Sequence, residues 1–344
     1  MSSSIGFLSP SEAARRLGVS AKALRLYEQH GLVTPGRTAA GWRVYGPDEL
    51  ARTAEIAALR ALGLSLAQVA RVLAGDPRDL EPALAAHQAV IQGRIRELGG
   101  VADKVQSLRT ALAEGSAPAA GELARLLAPA AGLGLAFDLP WPWGGERFEL
   151  RDIRPLNYII GPLGSGKTRL ARRIAETLPD AAFLDLERLA DGGAAMRARL
   201  VDDAALASRV DRTLAWLVED GARVSEALTA LLVGLESEGP AALVVDMVEQ
   251  GLDQPSQEAL IAHLRRRGPG ARPLFLLTRS SAILDLAATG PDEAIIFCPA
   301  NHSPPTLVAP WPGAPGYEAV ATCLASPEVR ARTEGVIAWR SQVA

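Results

Sequence analysis

The residues best suited to chemistry lie mid-chain. Gly161-Pro162-Leu163-Gly164-Ser165-Gly166-Lys167-Thr168 follows a strand-like run, Leu156-Asn157-Tyr158-Ile159-Ile160, and precedes a helical pattern from Arg169 to about Thr177. That order and spacing suit a phosphate loop. Small residues let successive amides curl around a β-phosphate at a helix N-terminus, Lys167 neutralises β/γ charge, and the Thr168 hydroxyl ligates magnesium. Asp246 closes a second apolar run, Ala242-Leu243-Val244-Val245-Asp246, and is the natural carboxylate to hold the same ion in place. ATP and Mg2+ are therefore the expected cofactors. Lys167 stands out further because lysine is scarce here: the others are Lys22 and Lys104, and the remaining bases are arginine.

A second set of candidate residues sits at the N-terminus. The chain has 344 residues, with 36 bases and 39 acids, yet residues 1–75 carry nine bases and five acids, so the excess of acid falls entirely on the rest. A basic head on an acidic body points to a polyanion partner for the head. Ser9-Pro10-Ser11-Glu12 reads as a capping box with proline at the first helical position, opening a helix to about Leu17. Gly18-Val19-Ser20 makes a turn, Ser20 caps a second helix from Ala21 to about Gln29, and Gly31 ends it, which together form a helix-turn-helix. Arg37-Thr38-Ala39-Ala40-Gly41-Trp42-Arg43-Val44-Tyr45 has the pattern of a hairpin wing. A helix from Pro47 to about Leu62 follows, then a helix capped by Ser65 and Gln68 and ending near Gly75.

This stretch resembles the DNA-binding domain of the MerR family of bacterial transcription regulators. The residues that carry the likeness are Ala23-Leu24-Arg25-Leu26-Tyr27-Glu28, Gly31-Leu32, Arg37, Gly41-Trp42-Arg43-Val44-Tyr45 and Leu62-Gly63-Leu64-Ser65-Leu66. Leu26 and Trp42 depart from the family's usual tyrosine but keep a large apolar side chain. The resemblance implies a DNA-binding set of Ser20, Lys22, Arg25, Tyr27, Arg37, Arg43 and Tyr45. Arg25, Tyr27, Arg37 and Arg43 suit hydrogen bonds to phosphate, which fix register, while the start of the second helix, around Ser20, Ala21, Lys22 and Leu24, reads base edges in the major groove.

From Leu80 to Glu114, apolar residues recur every seven positions at Leu84, Ile91, Leu98, Val105 and Leu112, with Val101 and Leu108 filling the other seam positions; His87 and Arg94 interrupt it. This predicts a dimerising coiled coil over residues 76–115. MerR-like proteins use such an antiparallel helix to pair two heads on a near-palindromic operator. Metal-responsive members place ligand cysteines near its end, and residues 76–130 have none. Residues 116–135 read as a linker around one short helix.

The body, residues 136–344, continues with apolar runs at 182–186, 274–278 and 294–298 between helical stretches, the pattern of a parallel sheet covered on both faces. It resembles the ABC/RecF-like branch of phosphate-loop ATPases. The segment Val244 to Asp253 corresponds to the Walker B region and the loop after it, Leu277 to Leu284 to the switch segment, and Val218 to Arg223 to a degenerate signature loop. Met247 replaces the glutamate that directly follows the Walker B aspartate, and methionine cannot accept a proton from water. Glu249 is the candidate substitute, and Arg279 occupies the place of the switch histidine, so hydrolysis is expected to be slow or lost. Trp141 and Trp143 lie where the family places an adenine-stacking aromatic; Trp143 is assigned to the nucleotide site, with a packed role as the alternative. Arg265-Arg266-Arg267 is expected to cap a helix in solvent.

The two cysteines, Cys298 and Cys323, lack metal or disulfide-scaffold spacing, and no uncharged apolar run reaches the roughly 18 residues of a membrane span. A cytoplasmic protein without membrane contact is expected. The fold class is multidomain: an all-α winged helix-turn-helix head and coiled-coil helix, then an α/β phosphate-loop domain with a parallel sheet. The expected function is that of a homodimeric regulator of double-stranded promoter DNA that touches RNA polymerase indirectly and whose body binds ATP and Mg2+. The alternatives are a DNA-tethered ATPase in repair or defence, and a degenerate phosphate-loop domain sensing a small molecule or protein.

Overall fold

In the computed structural model, which describes residues 7–114 and 134–324 apart from 189 and 269, each head helix begins where its cap residues dictate. The Glu12 carboxylate accepts the Ser9 amide at 2.9 Å while the Ser9 hydroxyl accepts the Glu12 amide at 3.4 Å, opening α1 (Pro10–Leu17); Gly18, at φ 65°, closes it. Ser20 caps α2 (Ala21–Gln29), accepting the Ala23 amide at 3.1 Å. The wing is β1 (Gly36–Arg37) paired antiparallel with β2 (Arg43–Val44). After it come α3 (Pro47–Ala61) and α4 (Leu66–Leu73), the latter with the Ser65/Gln68 capping box. Ala13, Leu24, Tyr45, Ile56, Leu64 and Val69 converge in one head core.

A single 34-residue helix, α5 (Leu80–Ala113), leaves the head. Its seam residues Leu84, Ile91, Leu98, Val105 and Leu112 are all exposed, as is Ile95, so the heptad face is not spent on the chain's own core. One of the two residues that interrupt the seam, Arg94, instead pairs with Asp292 of the body at 2.8 Å. The short helix expected in the linker lies outside the described residues, and the expected linker overlaps the first residue of β3, Leu135.

The body begins with an antiparallel hairpin, β3 (Leu135–Asp138) and β4 (Arg147–Leu150). Six further strands form one sheet: β5 (Leu156–Ile160), β6 (Ala181–Leu184), β7 (Ala242–Val245), β8 (Leu274–Leu277), β9 (Glu293–Phe297) and β10 (Thr306–Val308), in the order β10-β9-β5-β8-β7-β6. All pairings are parallel except that of the edge strand β10 with β9. This explains the unalternating sequence of β5, β7 and β8, every residue of which is buried. On one face, α6 (Lys167–Thr177) and the hairpin enclose Leu170, Ile174, Phe148 and Phe275. On the other face, α8 (Ala204–Glu219), α9 (Glu226–Glu236) and α10 (Gln254–Arg265) cover Tyr158, Leu243 and Leu276; α7 (Ala194–Asp202) and α11 (Tyr317–Cys323) complete that layer. Each such side chain contributes about 1.5–3 kcal/mol through burial.

The arginine triplet departs from its expected role as a solvated cap. Arg265 makes a two-point ion pair with Glu293, which also accepts the Tyr158 hydroxyl at 2.6 Å. The Arg266 guanidinium lies 4.4 Å from the Trp216 ring centroid, and Arg267 donates to the Arg272 carbonyl. Arg265 and Arg267 are thus partly buried against polar partners, while Arg266, still exposed, lies along an aromatic ring.

Candidate functional site

The loop between β5 and α6 lines a cleft of about 810 Å3 together with Trp141, Leu186, Asp246, Met247, Gln250, Arg279 and His302. Glycine is required at two of its positions. A Cβ at Gly161 would stand 2.3 Å from the Cys298 carbonyl oxygen, and one at Gly166, where φ is 90°, would stand 2.6 Å from the Trp143 ring. Lys167 donates from Nζ to the carbonyls of Gly161 at 2.8 Å and Pro162 at 2.7 Å, and burial pushes its ammonium below the usual lysine range. The Thr168 hydroxyl donates to Asp246 Oδ2 at 3.2 Å; burial raises the Asp246 carboxyl, and the Thr168 hydrogen bond opposes that rise. Among the described residues, the buried Ser165 Oγ and Arg279 Nε have no hydrogen-bond partner.

These residues fit a magnesium nucleotide. A backbone cradle closed to a Cβ at Gly161 and Gly166, a buried ammonium, a hydroxyl beside a carboxylate and two orphaned donors are the groups that a polyphosphate and its ion would satisfy. The loop residues Leu163, Gly164, Gly166, Lys167 and Thr168 line the cleft directly, while Gly161, Pro162 and Ser165 shape it from beneath.

Two assignments are corrected. Trp143 is buried, donates from Nε1 to the Ser303 carbonyl at 3.1 Å, and props Gly166 from below; Trp141, exposed and carrying Arg169 at 4.4 Å over its ring, is the aromatic that faces the cleft. Glu249 is buried, does not line the cleft, and accepts the Arg279 amide at 2.9 Å, so it joins the two loops instead of facing a water nucleophile. Met247, at φ 45°, and Gln250 occupy that wall. Arg188 was not foreseen; it donates to the carbonyls of Asp185 and Asp246 at 2.8 Å and Met247 at 2.9 Å, fixing the turn after β7. No motif marks it, because its contacts are all to backbone. His302, whose ring bonds the Gly164 carbonyl at 3.0 Å, was equally silent in sequence.

In the head, Arg25 and Arg37 are exposed and Arg43 partly so; Arg43 Nε meets Glu28 at 2.6 Å and Arg37 meets it at 3.6 Å, locking the wing to α2. Tyr27 and Tyr45 are buried in the head core, which corrects their placement among DNA-contacting groups: their rings serve packing here. Ser20 is also buried and occupied as a cap. The Lys22 ammonium lies 3.1 Å from Glu258 and 3.4 Å from the Ala282 carbonyl, both in the body.

The model of the MerR HTH family regulatory protein matches residues 8–76. A protein of Haemophilus influenzae described as a "probable heavy metal-dependent transcriptional regulator" is 37% identical over 103 residues, which span 28% of this chain and 80% of that protein. The chain belongs to the MerR family. The HTH-type transcriptional regulator CueR of Salmonella typhimurium is 31% identical over 105 residues, 28% of this chain and 76% of CueR. Among solved structures, HiNmlR, a MerR family regulator lacking the sensor domain and bound to promoter DNA, is 24% identical, covers 32% of this chain and 97% of its own length, and has a TM-score of 0.27. An ATP-binding cassette of an ABC transporter in its ADP conformation is 15% identical, covers 56% of this chain and 92% of its own, and has a TM-score of 0.34.

The MerR head is fastened to the body at the end of α8. Asp220 accepts Arg60 Nη2 at 3.0 Å and the Leu66 amide at 2.8 Å, and Glu219 accepts the Ser65 hydroxyl at 2.9 Å. Arg60 and Arg266 both stack on Trp216. The segment Val218 to Arg223, read from sequence as a degenerate signature loop, thus holds the chain's own DNA-binding head.

Proposed function

We propose that the chain is a dimeric, cytoplasmic, MerR-type transcription regulator whose body binds ATP with Mg2+ and thereby modulates promoter binding. The observation that carries this reading is the Lys22 contact: a residue of the DNA-reading helix bonds the carbonyl of Ala282, three positions after Arg279 in the wall of the nucleotide-sized cleft. Residues 1–75 act as the head, 76–115 as the dimerising helix and 136–344 as the nucleotide-binding body. The loop amides and Lys167 hold the phosphates, Thr168 and Asp246 hold the ion, and Trp141 offers its face to the base. When bound, the ion would supply positive charge that offsets the charge of the phosphates.

Arg25, Arg37 and Arg43 suit backbone phosphates, and the start of α2 suits base edges. Two heads paired through α5 match a near-palindromic operator, and RNA polymerase is engaged only through the promoter. Because Met247 stands where a proton acceptor is needed and Glu249 is tied to the Arg279 amide, the cleft binds nucleotide with slow turnover. Residues 76–130 carry no cysteine, and the cleft with Lys167 and Thr168 is the place where this chain would take its signal.

The test is equilibrium nucleotide binding and single-turnover hydrolysis, with and without promoter DNA, on wild type and Lys167→Ala. The expected result is magnesium-dependent ATP binding, slow hydrolysis and an affinity loss of about 100-fold in the variant, the scale of a lost charge-assisted contact. Fast wild-type turnover favours a DNA-tethered ATPase; no binding at all favours a degenerate effector domain.

A further inference from the structure

A DNA-reading helix must present its N-terminal residues to the major groove. Here that end is partly covered: Ala21 and Arg25 stay exposed, while Ser20 and Lys22 turn toward the body. Ser20 is buried and the Lys22 ammonium is held by Glu258 of α10 and by the Ala282 carbonyl, so a carboxylate and a carbonyl stand where DNA acceptors would. The cover is separable: a cavity of about 130 Å3 remains between Leu26 and Tyr27 of the head and Ile261 and Asp285 of the body, and the contact rests on polar anchors, chiefly Lys22 with Glu258 and Arg60 with Asp220. Polar anchors exchange for water at little net cost, unlike a sealed apolar face.

Both partners of Lys22 are linked to the cleft. The Ser280 hydroxyl donates to Gln257 Oε1 at 2.5 Å and accepts the Ala282 amide at 3.1 Å; Gln257 precedes Glu258 on α10 and donates to the Leu252 carbonyl at 2.7 Å. Arg279, immediately before Ser280, lines the cleft with its buried Nε unpartnered among the described residues. Arg279 and Ser280 thus join the cleft wall to both partners of Lys22 by a continuous path of chain and hydrogen bonds.

We propose that the body masks the DNA-reading helix of its own MerR head, with Glu258 and the Ala282 carbonyl holding Lys22 in place of DNA, and that filling the cleft releases it through Arg279 and Ser280. This rests on the nucleotide-regulator reading above. A mask present in nine molecules of ten lowers apparent DNA affinity about tenfold, and removing it restores that factor.

The test uses full-length wild type, Glu258→Lys and Asp220→Asn, substitutions that leave every proposed DNA- and nucleotide-contacting residue intact. The probe is the tightest duplex recovered by all three proteins from a random library about 30 base pairs long, enough for two half-sites a helical turn apart. Affinity is read by fluorescence anisotropy without nucleotide and with magnesium ATP, and exposure of α2 by hydrogen exchange. Expected are about tenfold tighter nucleotide-free binding by both variants, faster exchange in α2 and a flattened response to ATP. If the variants bind nucleotide normally and match wild type on DNA in every state, the mask is refuted. If they bind DNA more tightly while ATP leaves wild type unchanged, the release step is refuted. Should Glu258→Lys fail to fold, Asp220→Asn decides alone. If no protein recovers any duplex, the regulator reading itself falls.

Discussion

Arg60 of the head and Asp220 of the body meet as a two-point ion pair, with Nη2 3.0 Å from Oδ2, and Asp220 also accepts the Leu66 amide at the start of α4. Asp220 is buried and the Arg60 side chain nearly so, so each would be an uncompensated charge if the other were removed in place. When the head leaves as a unit, both are rehydrated instead. The pair thus fixes where the head docks without making docking irreversible.

The two tryptophans before the β4 hairpin strand separate by role. Trp143→Ala should cost about 3–5 kcal/mol in urea unfolding because it empties the space under Gly166. Trp141→Ala should leave stability within about 0.5 kcal/mol and weaken nucleotide binding about tenfold, through loss of a stacking face. Similar stability losses in both would show that Trp141 is a packing residue.

Met247→Glu restores a proton acceptor to the cleft wall, and single-turnover ATP cleavage is expected to rise at least about tenfold. Glu249→Gln should leave the wild-type rate within about twofold, since Glu249 is bound to the Arg279 amide and lies outside the cleft. A rate that collapses in Glu249→Gln would make Glu249 the base after all.

Along α5, Leu98 is 69% exposed and Val105 38% exposed, a cost that a partner helix would recover. Leu98→Glu with Val105→Glu should convert a dimer to a monomer in sedimentation velocity while leaving nucleotide affinity unchanged. An oligomeric state that does not respond to the change would show that this seam does not join two chains.

His263 titrates at about 4, below its usual 6.5, first because burial disfavours the imidazolium and then because Arg266 and Arg267 repel it. Its neutral form is favoured by folding, so the unfolded chain takes up the extra proton, and stability complete above about pH 6.5 is lost as pH falls toward 4. Between pH 7 and 5 the loss is about 2 kcal/mol. Urea midpoints of wild type and His263→Phe should therefore differ in pH dependence by that amount; parallel curves would exclude His263 as the source.

Much of this was written locally in the sequence. Ser9, Ser20 and Ser65 announce their helices because a cap acts over three residues, and the phosphate loop announces itself through the small residues its tight backbone path requires at Gly161 and Gly166. Helix α5 was legible too, from the apolar periodicity along it. Strand β10 was not, since a three-residue edge strand in a proline-rich segment has no periodicity. Trp141 and Trp143 look alike in sequence, and only the path of the hairpin tells which faces the cleft. The docking of Arg60 on Asp220, 160 positions apart, and of Lys22 on Glu258 joins ordinary charges by tertiary geometry, and nothing in either neighbourhood signals the other.

The most direct measurement is the affinity of the full-length protein for its selected duplex in three states: nucleotide-free, with ADP, and with magnesium ATP. A cleft that governs the head should give affinities differing by about tenfold between the nucleotide-free and ATP states, with Lys167→Ala fixed at the nucleotide-free value. Identical affinities in all three states, with ATP demonstrably bound, would contradict the coupling of nucleotide to DNA on which the whole reading depends.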